Sequence, residues 1–485
     1  MDNKTNSQLS VKQMLTIIRN GLRPSQYPKH IIVIGAGLAG LVAASLLKNS
    51  GNKVIILEAN DRIGGRAYTI RSLFNDKLYF NVGPMRIPDT HDLTLEYLEK
   101  FKLPTNLFIN QTSKDIICAN GIKTRFEKFE RDPNILKYPV APNEEGKTAE
   151  KLMNRALQPI INFIKQDPKR NWDIVESKYS KHSFWLFLKS YFSDSAIDMI
   201  GILLDKEAFM GISLVEILRG MENTSTTQFY EITGGMDRLP NAFLPQLKED
   251  VLLHHKIIKI FQDQNSVTIY GMHEQTSEHF TVTGDLAIVT LPFTALRFVK
   301  LAPYESFSYY KRRAIRELNY MASTKIAIEF KSRFWEKVGQ RGGRSITDLP
   351  IRFTYYPSYG IGTKGHSMLL ASYTWADEAL LWDSLYEQER IQIALSNLAE
   401  IYGNQVYSQF ISGFSFSWNQ NPYSCGGFAN FEPGQELALA PYTTTPEGRV
   451  HFAGEHTTKV HGWMQGAIES GIRVAYEVNN LTQLC

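Results

Sequence analysis

The stretch Ile31-Ile32-Val33-Ile34-Gly35-Ala36-Gly37-Leu38-Ala39-Gly40 decides the fold. Its first four residues read as a buried strand. Gly35, Gly37 and Gly40 then take the spacing G-x-G-x-x-G. Leu38 to Asn49 reads as a helix with Gly51 as its stop, and Lys53-Val54-Ile55-Ile56-Leu57-Glu58 as the next strand, so the segment is a βαβ unit. The motif alone is weak; a strand before it and a helix after it make it a dinucleotide-binding fingerprint. The first glycine makes the tight turn, the second lets the backbone approach a pyrophosphate, and the third lets helix and strand pack closely. Phosphates then sit at the helix N-terminus. Glu58, eighteen residues after Gly40, ends the second strand, where it would accept hydrogen bonds from a ribose diol.

Outward from this unit, apolar residues at Val11, Met14, Leu15, Ile18 and Leu22 predict an amphipathic N-terminal helix over 8–22, ended by Pro24 and Pro28. The pattern turns helical from about Glu144 to Gly220. Short strands return at Ile257–Ile260, Ser266–Tyr270, Phe280–Thr283 and Ala287–Leu291. A second sheet is expected from Thr324–Phe330, Ile351–Tyr356, Ser367–Tyr373 and Phe410–Trp418. Arg449–Ala453 reads as one more buried strand before a glycine-punctuated C-terminal helix. Without repeats or long linkers, the domains are expected to interleave.

Composition narrows the partners. The 485 residues are 43% hydrophobic and 21% charged, enough for two or three ordinary globular domains. The net charge of +4, from 53 basic and 49 acidic residues, is small and unclustered, which argues against nucleic acid as the partner. The uncharged run Ile31–Leu47 is broken by its glycines, so no membrane span is expected. Met1-Asp2-Asn3-Lys4-Thr5 does not begin a signal peptide, and Cys118, Cys425 and Cys485 are far apart with no C-x-x-C. Reduced thiols, a cytoplasmic location and no metal are the expectations.

A second glycine pair, Arg62-Ile63-Gly64-Gly65-Arg66, follows the acidic strand directly. Far downstream stand Phe452-Ala453-Gly454-Glu455-His456-Thr457 and His461-Gly462-Trp463-Met464-Gln465-Gly466-Ala467-Ile468-Glu469-Ser470-Gly471. Together these resemble the signature of the flavin amine oxidase superfamily. Within it the chain is similar to the L-amino-acid oxidases nearly end to end, through Ile18-Arg19-Asn20-Gly21-Leu22, Gly83-Pro84-Met85-Arg86, Leu136-Lys137-Tyr138-Pro139-Val140, Asp198-Met199-Ile200, Gly235-Met236-Asp237-Arg238-Leu239-Pro240 and Thr347-Asp348-Leu349-Pro350.

The resemblance implies non-covalent FAD, bound by Gly35, Gly37, Leu38, Ala39, Gly40, Glu58, Ala59, Arg66, Gly83, Pro84, Met85, Arg86, Ile257, Gly454, Glu455, Gly462, Trp463, Met464 and Ala467. It implies that Arg86, a planar and always-charged fork, anchors a substrate carboxylate that the hydroxyl of Tyr373 shares. Lys325 would hold a water near flavin N5, the Gly462 carbonyl would accept the substrate amine, and Trp463 would wall an aromatic slot. Met321, Trp375 and Phe428 would line an apolar side-chain pocket.

The implied reaction is oxidative deamination of hydrophobic or aromatic L-amino acids, by hydride transfer from Cα to flavin N5, giving 2-oxo acid, ammonia and, from O₂, hydrogen peroxide. The alternatives are an amine or polyamine oxidase, an amino-acid 2-monooxygenase, and a flavin-binding interaction protein without turnover.

Two departures stand out. Gly220 occupies the place where the family often carries a histidine, which leaves the acceptor of the amine proton open. Cys425 precedes the pair Gly426-Gly427, whereas the cysteine that binds flavin covalently in monoamine oxidases follows two glycines.

The implied fold is α/β, with a glutathione-reductase-like Rossmann-type FAD domain (28–71, 236–320 and 440–485). It interleaves with a mixed-sheet substrate domain (1–27, 72–130 and 321–439) and a helical insertion (131–235). A homo-oligomer, a dimer, is expected.

Overall fold

The computed structural model describes residues 9–71, 73–75, 78–224 and 228–481. The start of the chain read above, Met1 to Thr5, and Cys485 lie outside the described residues.

Helix α1 (Val11–Asn20) is opened by a capping box between Ser10 and Gln13. It ends before either proline: Gly21 adopts φ 78° and its N–H bonds the Ile17 carbonyl. The expected boundary at Pro24 is therefore late, because a glycine with positive φ ends the helix first. Strand β1 (His30–Ile34), helix α2 (Leu38–Asn49) and strand β2 (Lys53–Leu57) follow the sequence reading closely. Nearly all of α2 is buried, since the sheet lies on one side and the C-terminal helix Met464–Asn479 on another.

β1 lies inside a five-stranded parallel sheet. Its neighbours are β2 and the strand Leu286–Val289. Val251–Leu252 lies outside β2, and Val450–Phe452 closes the far edge. All five strands therefore end near the same place, where ligands of open parallel sheets are bound. A four-stranded sheet that includes His255–Gln262, Val267–His273 and His279–Gly284 packs alongside.

The second large sheet has seven strands. Ser323–Phe330 lies between Phe410–Ser417 and Ser367–Trp375, followed outward by Phe353–Tyr355, Arg344–Thr347, Ile116–Ala119 and Ile122–Arg125. The last three of these lay outside the expected sheet. They are short, and Arg344–Thr347 carries too few apolar residues to announce itself. The helical insertion runs Ala149–Gln166, Pro168–Tyr179, Phe184–Lys189, Asp194–Leu203 and Leu214–Asn223, each started by a Ser, Thr or Asp cap. One apolar core joins this insertion to the seven-stranded sheet, and another lies between the parallel sheet, α1, α2 and the C-terminal helix.

Candidate active site

A cavity of about 570 Å³ opens at the ends of the parallel strands. One wall is the fingerprint turn, with Gly35, Gly37, Leu38 and Ala39; Gly40 lies behind it. A Cβ on Gly40 would run into the Gly35 carbonyl oxygen and meet Thr290 Oγ1 at 3.1 Å, so only glycine lets the turn close. The N-terminus of α2, at Gly37, has no side-chain cap, unlike the capped helices of the insertion. Its N–H groups are left facing the cavity, an arrangement suited to a diphosphate.

Glu58 follows β2 and lines the cavity. Its carboxylate accepts the N–H groups of Ala36 (2.7 Å) and Asn60 (2.9 Å), which fixes its direction and leaves lone pairs for a diol. The Gly64 N–H bonds the Ala36 carbonyl at 2.8 Å, tying the second glycine pair to the first turn.

At the far end, Glu455 is buried and three-fold bonded. Its oxygens accept from Arg66 (2.8 Å), the Ala429 N–H (3.1 Å) and the Gly462 N–H (3.0 Å). The C-terminal helix starts at Met464, and its N-cap Trp463 makes no side-chain cap, so a second uncapped helix N-terminus faces the same space. Gly462 has φ 76°, and a side chain there would press on the Phe428 ring at 3.2 Å. A buried carboxylate at one end, two uncapped helix starts and an apolar interior form a cradle that fits FAD.

The profile of flavin-containing amine oxidoreductases matches residues 38–479. The chain belongs to that family. It is 68% identical over 469 residues to "Putative L-amino-acid oxidase YobN" of Bacillus subtilis (strain 168), covering 96% of this chain and 98% of that protein. It is 37% identical to an L-amino-acid oxidase of Siganus canaliculatus, covering 97% and 89%, and 35% identical to one of Gloydius halys, covering 97% and 93%. Among solved structures, cyclohexylamine oxidase from Brevibacterium oxydans IH-35A superposes with a TM-score of 0.76 at 18% identity, over 93% of this chain and 99% of that one. Putrescine oxidase in complex with putrescine gives 0.76 at 17%, with the same shares covered. These structures share the fold. As a flavin amine oxidoreductase, the protein uses FAD.

In this flavin amine oxidoreductase, all but three of the residues expected to bind FAD line the cavity. The exceptions are Gly40, Met85 and Arg86. Gly40 shapes the turn from behind, and Met85 belongs to the apolar core shared with the helical insertion. The half-buried Arg86 bonds Asn110 Oδ1 and, at 3.4 Å, the Tyr355 hydroxyl, with the rings of Phe229 and Tyr355 at 5.4 and 5.6 Å.

Tyr373 lines the cavity and stacks obliquely on Trp375 at 4.2 Å. Burial pushes its hydroxyl up to about 12, with Trp375 and Arg86 opposing. Lys325 lies on a strand paired on both sides and is only 1% exposed, so it is no edge-strand charge. Its Nζ donates to the carbonyls of Asn81 (3.0 Å) and Gly83. Burial, then the Arg86 charge, holds Lys325 well below the usual lysine range. Met321 and Trp375 belong with Phe353 and Tyr355 to the core that Phe428, Phe209 and Phe229 join.

Several residues of the site were not anticipated. Asn110 and Tyr355 contact Arg86 directly; both sit in segments with no motif. Phe209 packs on Trp375 at 5.6 Å from the helical insertion. Asp205, beside it, has φ 59°. Burial pushes its carboxyl up to about 6, and Arg344, Lys206, Arg86 and Arg352 oppose that rise. Arg62 also lines the cavity, donating to the Gly65 carbonyl at 2.8 Å.

Proposed function

We propose that the protein is an L-amino-acid oxidase acting on hydrophobic or aromatic L-amino acids, with FAD held non-covalently. The observation that carries this is Arg86. Its side chain hydrogen-bonds two neutral groups, Asn110 and Tyr355, among aromatic rings. A partly desolvated guanidinium whose hydrogen-bond partners are neutral, with the Asp205 carboxylate acting on it from further away, suits an anionic ligand, and a carboxylate matches its fork. Amines without a carboxylate have no use for such a group.

Arg86 and Tyr373 hold the substrate carboxylate in this reading. The Gly462 carbonyl and Trp463 receive the amino group, and Met321, Trp375 and Phe428 receive the side chain. The core that Met321, Trp375 and Phe428 belong to is apolar, which favours an apolar side chain. FAD, when bound, supplies the acceptor for the two electrons and the hydrogen lost from Cα, and O₂ regenerates it with formation of hydrogen peroxide. The substrate amine must be neutral to assist that loss. Lys325, buried behind Tyr373 and held well below the usual lysine range by that burial, would hold a water near the flavin in this reading.

A peroxide assay across L-amino acids, D-amino acids and simple amines tests the reading. Oxidation of phenylalanine- or leucine-like L-substrates with release of 2-oxo acid is expected. Turnover confined to amines without a carboxylate would overturn it, equal rates on lysine or glutamate would remove the side-chain preference, and an amide product with carbon dioxide would mark a monooxygenase.

A further inference from the structure

The loop from Thr458 to Trp463 joins the Glu455 turn to the C-terminal helix and carries Gly462 and Trp463 at its end. It is bonded internally, Val460 N–H to Thr458 Oγ1 at 3.2 Å and Thr458 Oγ1 to the Glu455 carbonyl at 3.0 Å. Two of its side chains reach the helical insertion. Lys459 Nζ lies 3.4 Å from Glu176 on Pro168–Tyr179, an exposed and weak pair. His461 Nδ1 lies 3.0 Å from Glu216 Oε1 on Leu214–Asn223, and its side chain is only 3% exposed. The Phe431 ring covers the imidazole at 4.9 Å.

We propose that His461 is a positioning residue: gripped by Glu216 of the helical insertion, it fixes the Gly462 carbonyl and the Trp463 ring against the FAD cavity. The proposal rests on the L-amino-acid oxidase reading for what those two groups receive. Its geometry is short and direct. The peptide after His461 is the one whose N–H Glu455 accepts at 3.0 Å, so Gly462 is held from both sides, by Glu455 from the cavity and, through His461, by Glu216 of the insertion.

Charge decides what the imidazole can do. Burial lowers its pKa, yet Glu216, Glu455 and Glu436 outweigh burial and hold it up at about 9. Arg219, bonded to Glu436 at 3.0 Å and also paired with Glu176, and Lys459, paired with the same Glu176, are cations of this network, and the buried His456 feels the charge on His461. An imidazolium at neutral pH cannot take the proton of the substrate amine. It can make a charge-assisted hydrogen bond across the domain boundary. Because its pKa is raised, the strength that the charge adds to this bond is complete below the ordinary histidine value of about 6.5 and is lost as pH rises through about 9.

The test uses the FAD-loaded full chain and the variants His461→Gln, Glu216→Gln and Glu216→Asp. His461→Gln is expected to keep its flavin, raise KM for the best L-amino acid about tenfold and change kcat less. The visible spectrum of the bound flavin, titrated without substrate, is expected to show a transition near pH 9 in the native chain. That transition should vanish in His461→Gln, move to lower pH in Glu216→Gln and return in Glu216→Asp. A native spectrum without it, or a His461→Gln enzyme with native KM, would overturn the proposal. If His461→Gln does not fold, the Glu216 pair decides, since a Glu216→Gln enzyme with native KM and an unmoved transition has the same consequence. A native chain that oxidises no L-amino acid defeats the oxidase reading alone, and the spectral titration still judges the role of His461.

Discussion

Lys325 Nζ lies 4.3 Å from the centre of the Tyr373 ring, and the two residues are register partners on adjacent antiparallel strands. An amine fully enclosed by the sheet thus backs onto the phenol that faces the cavity.

The first expectation concerns that lysine. Methionine has a similar shape but no donor for the Asn81 and Gly83 carbonyls, so Lys325→Met should cost about 1–3 kcal/mol for each acceptor left buried and unpaired. The same variant should lose about 10²- to 10⁴-fold in kcat/KM if the amine handles a proton. Thermal melting and steady-state peroxide release measured together separate the two. A folded variant with near-native kcat/KM would make Lys325 a packing residue.

Arg86→Ala should cost about 2–5 kcal/mol in substrate binding, because the carboxylate is left without its partner. Arg86→Lys should be intermediate, since a point charge keeps the attraction and loses the fork. The check is kcat/KM on the best L-amino acid. Near-native values for Arg86→Ala would remove the anchor assignment.

Gly40→Ala tests the turn. The added methyl meets backbone at Gly35, which cannot swing aside, and overpacking of this kind costs about 1–3 kcal/mol. Purified Gly40→Ala protein should carry less flavin per chain and melt earlier. Gly211→Ala, where a Cβ meets nothing within 4 Å, is the control.

Glu231 gives a pH dependence. It is buried, and burial pushes its carboxyl up to about 7, with only the Asn106 amide at 2.6 Å pulling it down. The folded chain therefore keeps a proton that the unfolded chain releases from about pH 4.3 upward. Stability contributed here falls as pH rises from about 4.3 to 7 and stays low above it. Glu231→Gln should equal the native chain near pH 4 and exceed it at pH 8 by up to about 3 kcal/mol. Melting temperature against pH is the measurement, and a constant offset across pH would contradict the assignment.

The fingerprint, the second glycine pair and the C-terminal motif were legible because each answers a local demand of backbone geometry: a turn, a close approach, a helix start. Lys325 and Tyr373 were legible only through resemblance, since nothing nearby in sequence tells a buried lysine from one at a sheet edge. Asn110, Tyr355 and Phe209 could not be read at all. They reach the Arg86 region from a loop, an interior strand and a short helical turn, and only the folded sheet brings them together. The end of α1 was misplaced for a different reason, since a proline is a conspicuous stop and a positive-φ glycine before it an inconspicuous one.

The parallel sheet takes its first two strands from residues 30–57 and its last from Val450–Phe452. On the ribosome the fingerprint therefore emerges long before the wall it needs. Until Gly427 and Glu455 are made, the Arg66 guanidinium has neither of its acceptors, and α2 lacks the C-terminal helix that buries its flank. Closing so long a loop precedes most of the reward, which slows assembly and exposes apolar surface while the chain waits. A chain stopped before Gly454 would carry the fingerprint without Glu455 or the C-terminal helix start, two parts of the cradle.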